Sequence, residues 1–492
     1  MKYKVAELPF IDGIEKIYFV GIKGVGMAPL AMIANDSKLI VKGSDLGDQF
    51  ITDKYLEEKG IQIDTSFDET SISSFFSDAP KEVCLCVTTG AHKGFDNPQV
   101  KWAKENDITV LTQGQALAMF MRGEIVTDRE LFGISIAGSH GKTTVSSLLA
   151  TTMKALGMEP SYSVGTGELF PLAAPGHLGT GPYFVAEADE YASEPVYDRI
   201  PKFLYQTPKY AIFNNIDFDH PDLFESIDDV VTAFLELAFN IQSGGILFIN
   251  GDDPRLRHIE EKLGKDVRVV SFGRGEENDY ILTKAVETGL NQRFTVLKKG
   301  VELGVFELSL HGAHNALNSL GVIAFLSEIG YEAYKIRACL KVMTGTKRRC
   351  EIVGKTQNGA LLIDDYGHHP LEIATTLNAI KGTFPDKKIV VVFQPHTYSR
   401  TKALLGDFAK AFEKADQLLL LPIFKSMRDT ENDAISTDEY LAPFQEKGEI
   451  NYQENAGDMV EYISKKYDSS EYLIVTMGAG DVYKIAYQLN HV

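Results

Sequence analysis

The run Ile134-Ser135-Ile136-Ala137-Gly138-Ser139-His140-Gly141-Lys142-Thr143-Thr144-Val145 constrains this chain more than any other. Apolar residues lead through two glycines into a hydroxyl-rich stretch, an order that suits a strand, a tight turn and a helix start. Such a turn aims backbone N–H groups and the positive end of the helix at an anion. Gly138, Ser139, His140, Gly141, Lys142, Thr143 and Thr144 therefore read as a phosphate cradle for ATP or GTP, with a helix from Thr143 to about Met153. Lys142 is placed against the β- and γ-phosphates, and Thr143 or Thr144 on Mg2+. The usual phosphate loop has a glycine five residues before Gly141, where this chain has Ile136, so the loop is a shortened variant.

A chain of 492 residues exceeds one core, and at roughly 150 residues per domain it divides into about three. In the first unit, apolar strands at 16–20, 39–41, 82–87 and 108–111 alternate with helical stretches near 28–34, 52–59 and 98–105. Strands interleaved with helices at that spacing imply βαβ units and a parallel sheet. The polar segment 121–130 marks one boundary and the polar hinge 344–349 a second, giving units 1–125, 126–343 and 344–492. The second unit adds strands at 183–186, 210–214 and 245–250, and the third at 361–363, 388–393, 417–421 and 473–476. The fold class is α/β throughout, with the central sheet mostly parallel.

A net charge of −19 argues against a general nucleic-acid or membrane-surface binder, which needs a basic footprint. No apolar run reaches the roughly 18 residues that span a bilayer, and no basic, apolar leader opens the chain. A cytoplasmic protein without membrane insertion is expected. Four cysteines are too few and too scattered for a disulfide framework. Cys84 and Cys86 alternate with Val83, Leu85 and Val87, so both should point to one face as buried, reduced thiols.

A second glycine cluster, Gly21 to Gly26, follows the first strand with the spacing GxxGxG instead of the dinucleotide GxGxxG. Asp45 lies 19 residues past Gly26, at the end of the second strand, where a ribose hydroxyl would be met. A nucleotide diphosphate fits this pattern better than a nicotinamide cofactor. Two acidic clusters then follow strands of the middle unit, Glu187-Ala188-Asp189-Glu190 and Asn215-Ile216-Asp217-Phe218-Asp219-His220. Ligands of open parallel sheets collect outside the carboxyl ends of strands, so both clusters should approach Lys142. Carboxylates there offer the hard oxygens that Mg2+ requires for phosphoryl transfer. Alone, Glu187 and His220 could equally belong to solvated loops.

The cradle, the two acidic clusters and Gly312-Ala313-His314-Asn315-Ala316-Leu317-Asn318 follow one another in an order that resembles the Mur ligases, ATP-dependent ligases of bacterial cell-wall precursors. The resemblance spans essentially the whole chain. It implies a Rossmann-like UDP-binding domain, a central P-loop ATPase domain and a Rossmann-like C-terminal domain that receives the amine. It implies Lys142 as the phosphate lysine, Thr143 and Glu187 as ligands of a first Mg2+ and His220 of a second. Asn315 and Asn318 take the place of the adenine contacts, Arg349 that of a hinge arginine meeting ATP, and Asp365 that of the acid that helps close the third domain. Gly21, Gly24, Val25, Gly26, Met27, Ser44 and Asp45 form the implied UDP-sugar loop, with Lys23 where the family commonly has glycine.

Within the family, the third-domain stretches 393–401 and 477–481 are similar to the branch that joins L-alanine to UDP-N-acetylmuramate. Glu187 to Tyr191 and Phe218 to His220 instead resemble the branch that recycles a tripeptide onto the same sugar nucleotide. Some relatives use a carbamylated lysine near the metal; no lysine occurs between His220 and Lys262, which is compatible with the alanine branch, where that modification is not expected. The implied route is phosphorylation of the lactyl carboxylate by ATP, followed by attack of the amine on the acyl phosphate. His396 and Arg400 follow the strand 388–393 and could reach the acyl phosphate or the alanine carboxylate, since an arginine fork suits a carboxylate. A capping histidine and a surface arginine are the plainer reading. His368 lies near the site by the same resemblance, without an assigned role. A P-loop kinase or GTPase leaves the first glycine loop unexplained, a dehydrogenase explains only that loop, and a sugar-nucleotide sensor would not need Lys142, Glu187 and His220. The amine and the oligomeric state are left open.

Overall fold

Strands covered on both faces must be apolar throughout, and β1 (Lys16–Val20) is buried along its whole length. It centres a sheet with β2 (Ile40–Ser44), β3 (Gln62–Asp64), β4 (Cys84–Thr88) and β5 (Thr109–Thr112), ordered β3-β2-β1-β4-β5 and parallel throughout. The structure, a computed structural model, describes residues 2–167, 169–288, 291–310, 312–343, 345–346, 348, 350–424, 435–445 and 451–490. Cys84 and Cys86 pack in one apolar cluster and their neighbours Leu85 and Val87 in another, as strand alternation requires. Both thiols are free and buried.

The middle unit runs β6 (Phe132–Ala137), β7 (Ser161–Ser163), β8 (Leu169–Phe170), β9 (Gly176–His177), β10 (Tyr183–Ala188), β11 (Ala192–Glu194), β12 (Asp198–Pro201), β13 (Tyr210–Phe213), β14 (Ile246–Asn250), β15 (Arg268–Gly273), β16 (Tyr280–Thr288), β17 (Asn291–Lys298) and β18 (Val301–Leu308). Ten of these form one sheet, β18-β17-β16-β15-β14-β13-β6-β10-β7-β9, parallel from β16 to β7 and antiparallel at both ends. The β16–β18 meander is not legible in the sequence. Register shifts at Thr283/Val286 and at Val296/Leu297 break the period of two by which such half-solvated strands are recognised.

The third unit contains β19 (Gly345–Thr346), β20 (Glu351–Lys355), β21 (Leu361–Asp365), β22 (Lys388–Phe393), β23 (Gln417–Leu420), β24 (Asn451–Tyr452) and β25 (Tyr472–Met477). Its sheet is ordered β20-β21-β25-β22-β23-β24, with only β20 antiparallel. The hinge strand β19 pairs with β8 of the middle unit. Phe184 and Ala186 of β10 share an apolar cluster with Phe120, Met121 and other first-unit residues, so the first two units are fused through a core. The two clusters of the third unit draw on residues from 350 onward. No helix among the described residues is long and apolar enough to cross a membrane.

Candidate active site

β6 lies between β13 and β10, where chain connections leave in opposite directions, the position at which open α/β sheets bind ligands. Its carboxyl end turns through Gly138 to Gly141 into the helix Lys142–Ala155. Gly141 has φ +83°, and a Cβ there would also lie 3.0 Å from Asn318 Oδ1. Asn318 sits on the helix Ala313–Glu328, where its amide donates to Asn315 Oδ1 at 3.3 Å. The two asparagines expected at the adenine are thus carried to the phosphate loop by a separate helix.

Lys142 curls back over its own loop. Its Nζ donates to Gly138 O at 2.7 Å and to Glu190 Oε1 and Oε2 at 3.0 and 2.8 Å. Burial works against the ammonium charge, but Glu190 and Asp189 outweigh it and raise the pKa. Thr143 Oγ1 donates to Glu187 Oε2 at 3.3 Å, and Gly165 N to Glu187 Oε1 at 2.8 Å. A hydroxyl and a carboxylate oxygen beside the phosphate loop are the hard donors a magnesium ion takes, so these residues fit that ion.

A second group gathers beyond Glu190. One donor atom each from Glu190, Asp219 and His220 lies within 4.8 Å of the others. His220 adopts a left-handed backbone, φ +61°, and its ring packs on Tyr191 at 4.9 Å. The Tyr191 hydroxyl donates to Asp222 Oδ2 at 2.7 Å. From the third unit, Arg400 Nε donates to Asp219 Oδ1 at 2.9 Å, with Nη2 at 2.8 Å from the same oxygen and 3.4 Å from His220 Nδ1. Burial alone would raise the Asp219 pKa, but His220 and Arg400 hold it well below the usual carboxylate range. Arg400 is therefore no surface arginine; it joins the third unit to the His220 loop.

Other third-unit residues make contacts within that unit. His396 stacks on Phe424 at 5.5 Å and lies 6.5 Å from the His368 ring. Burial and the Arg400 charge push His368 down to about 3, so its imidazole is neutral, with Nδ1 held by Tyr366 O at 3.1 Å. Asp365 accepts from Cys350 N and Gly367 N, both at 2.8 Å, and orders the loop that presents His368. Arg349 lies outside the described residues. Its neighbour Arg348 donates to Asp364 Oδ2 at 3.2 Å and Gly478 O at 2.6 Å and stacks on Tyr366 and Tyr483.

His140 meets the third unit directly. Its Nδ1 is 3.3 Å from Glu372 Oε1, its Nε2 is 3.6 Å from Asp217 Oδ2, and its ring is 4.7 Å from that of His369. Its backbone N–H donates to Asn215 Oδ1 at 2.9 Å, and Ser139 Oγ donates to Asp217 O at 3.0 Å. Thr144 lies half-buried in the first turn of the loop helix.

The first-unit loop forms a separate site at the carboxyl end of β1, again between strands whose connections diverge. Gly21 has φ +81°, and a Cβ there would lie 2.5 Å from Thr89 Cγ2. Its N–H donates to Ser44 O at 2.8 Å, and Gln113 Nε2 donates to Gly26 O at 3.3 Å. Gly24 and Val25 stand between these ties, with Val25 exposed and Met27 buried behind it. Asp45 is fully buried: Oδ2 accepts from Lys23 N at 2.7 Å and Oδ1 from Leu46 N at 2.8 Å. Expected at a ribose hydroxyl, it orders the glycine loop in this conformation.

Glu190, Asp217, Asp219, His369 and Glu372 were not selected from the sequence. Three of them stood in the acidic clusters already noted, and their position after β10 and β13 was the available signal. His369 and Glu372 had none, because the packing of the third unit alone brings them to the loop.

The chain matches three family models along its length: "Mur ligase family, catalytic domain" at residues 16–124, "Mur ligase middle domain" at 136–326 and "Mur ligase, glutamate ligase domain" at 348–480. It is 35% identical over 475 residues to a UDP-N-acetylmuramate–L-alanine ligase of Desulfitobacterium hafniense, covering 96% of this chain and 99% of that protein. It is 37% identical over 479 residues to the like-named ligase of Levilactobacillus brevis, covering 96% of each. Among solved structures, the UDP-N-acetylmuramate-alanine ligase of Thermotoga maritima is similar, with a TM-score of 0.76 and 25% identity over 96% of this chain and 98% of that one.

Proposed function

The chain belongs to the Mur ligase family, and we propose that it joins L-alanine to the lactyl carboxylate of UDP-N-acetylmuramate, converting ATP to ADP and phosphate. The full-length relatives support this choice of substrates. The observation that carries the chemistry is the seam itself: Arg400 of the third unit stands 2.8 Å from Asp219, beside the Glu190 that holds Lys142. An amine bound by the third unit is thereby delivered to the phosphate loop. Units 1–125, 126–343 and 344–492 take the sugar nucleotide, ATP and the amino acid in turn. A reaction using ATP and a UDP-sugar belongs in the cytoplasm.

In this reading a lactyl carboxylate oxygen attacks the γ-phosphorus and ADP departs, leaving an acyl phosphate. The alanine nitrogen then attacks the acyl carbon, inorganic phosphate leaves and the nitrogen loses its proton. Lys142 releases Glu190 and turns to the β- and γ-phosphates, where its charge is worth most as the phosphoryl group transfers. Magnesium held by Thr143 and Glu187, with a second ion at His220, supplies neutralisation of the phosphate charge. Asn315 and Asn318 bind the base, and His396 and Arg400 line the path of the amine and its carboxylate. Gly21, Gly24, Val25, Gly26, Met27 and Ser44 surround the UDP, with Asp45 fixing their loop.

The test is ADP release with ATP, Mg2+ and UDP-N-acetylmuramate, comparing L-alanine with L-alanyl-γ-D-glutamyl-meso-diaminopimelate. Turnover with alanine is expected. Turnover with the tripeptide alone would reassign the chain to the recycling branch that Tyr191 resembles, and silence with both would defeat the substrate assignment.

A further inference from the structure

His140, Asp217 and His369 form a second bay of nitrogen and oxygen donors, on the other contact between the phosphate loop and the third unit. One ligand atom from each lies within 4.8 Å of the other two. The Nε2 atoms of His140 and His369 are both buried without a hydrogen-bond partner, and His369 is only 6% exposed. The 3.6 Å between His140 Nε2 and Asp217 Oδ2 is too long for a hydrogen bond. It is close to the spacing of about 3.4 Å that two tetrahedral ligands adopt around an ion with bonds of about 2.0–2.2 Å. On the far side of the ring, His140 Nδ1 faces Glu372 Oε1 at 3.3 Å, the outer carboxylate that typically fixes a metal-bound imidazole with its other nitrogen bare.

We propose that His140, Asp217 and His369 bind one zinc-class divalent cation that clasps the phosphate loop to the third unit. Two imidazoles with one carboxylate select zinc, cobalt or nickel over magnesium, which prefers an all-oxygen octahedron. The bay is thus chemically distinct from the Thr143/Glu187 pair. Three protein ligands leave a fourth position for water. Binding through His369 Nε2 moves that ring's proton to Nδ1, which now accepts from Leu371 N at a long 3.3 Å as the cap of the helix Pro370–Thr383. The exchange gives up one weak cap bond for a metal bond.

The experiment is a Co2+ titration of the metal-stripped, full-length protein in excess Mg2+, read by visible absorption and followed by displacement with Zn2+. One equivalent giving the intense bands of four-coordinate cobalt is expected, bleached by one equivalent of Zn2+. His369→Asn keeps a good cap residue but removes the imidazole, and should weaken binding about tenfold or more. Asp217→Asn should do likewise, and decides the matter if His369→Asn melts without a cooperative transition. His220→Asn, in the neighbouring Glu190/Asp219/His220 group, should leave the bands in place. Absence of four-coordinate bands overturns the proposal, as do bands that survive both bay variants or vanish with His220→Asn.

Discussion

The ion pair of Lys142 with Glu190 is the residue-scale fact with the widest consequence. Glu190 is 1% exposed, so removing Lys142 leaves a buried carboxylate without its partner, a loss of about 3 kcal/mol. Lys142→Met should therefore lower both stability and activity, the latter at least ~100-fold. Adding Glu190→Gln should restore most of the stability and none of the turnover. Urea melts and ADP release on the two variants separate the effects; a double variant as unstable as the single would show that Glu190 is not what Lys142 neutralises. Tyr191 acts through His220. Its ring packs on the imidazole while its hydroxyl is occupied by Asp222, so the ring orients His220. Tyr191→Phe should change the Mg2+ concentration for half-maximal turnover less than about threefold, whereas Tyr191→Ala should raise it about tenfold. Equal Mg2+ dependence in both would assign Tyr191 to packing alone.

At the scale of elements, the helix Ala28–Asp36 of the first unit ends on the middle unit. Asp36 Oδ2 accepts from Leu178 N at 3.2 Å and pairs with His177 Nδ1 at 3.0 Å, while Lys59 holds the other oxygen. Burial pushes the Asp36 pKa up, but His177, Lys59 and the Leu178 amide outweigh it and hold it near 2, against 3.8 unperturbed. A depressed carboxylate stabilises the fold above its unfolded pKa and loses that contribution as pH falls through the folded value. Asp36→Asn should cost about 1–2 kcal/mol at neutral pH, and the gap to the parent should close as pH drops below about 4. A gap that stays constant with pH would remove the charge from the explanation. The elements themselves were legible to differing degrees. Strands such as β1 and β22 announce themselves as short apolar runs because both their faces are covered. β2 reaches Ser44, past the apolar run, because Lys42, Gly43 and Ser44 still pair with β1. The glycine loops were visible because a turn with positive φ, as at Gly21 and Gly141, restricts the residue type. Side-chain pairings across units were not: Arg400 and Asp219 are 181 positions apart, and no local pattern links them.

Across the whole molecule, the two kinds of seam differ in what a ligand can move. The first and middle units share apolar packing through Phe184 and Ala186, so separating them would expose core. The third unit keeps its own core and meets the others through the β8–β19 ladder and polar contacts of Arg400 and His140. Polar seams open at lower cost because water replaces the broken bonds, so a closing motion is expected of the third unit. In the Arg400–Asp219 pair both side chains are 7% exposed. Removing Arg400 would strip the buried Asp219 of its guanidinium partner and leave the His220 ring 3.6 Å from Oδ2, a loss of about 3 kcal/mol that the molecule can relieve by opening this seam and hydrating the carboxylate. That cost is comparable to the few kcal/mol that separate interconverting conformations. Arg400→Met should thus increase the radius of gyration of the ligand-free protein in small-angle scattering. The cooperative melting of the third unit should persist, because its core is untouched. Arg400→Lys should fall between parent and Met variant, since one ammonium cannot reproduce the guanidinium fork. Scattering profiles that superimpose for all three proteins would mean that β8–β19 and the His140 contacts hold the third unit without Arg400, and closure would then have to be sought away from the Arg400–Asp219 pair.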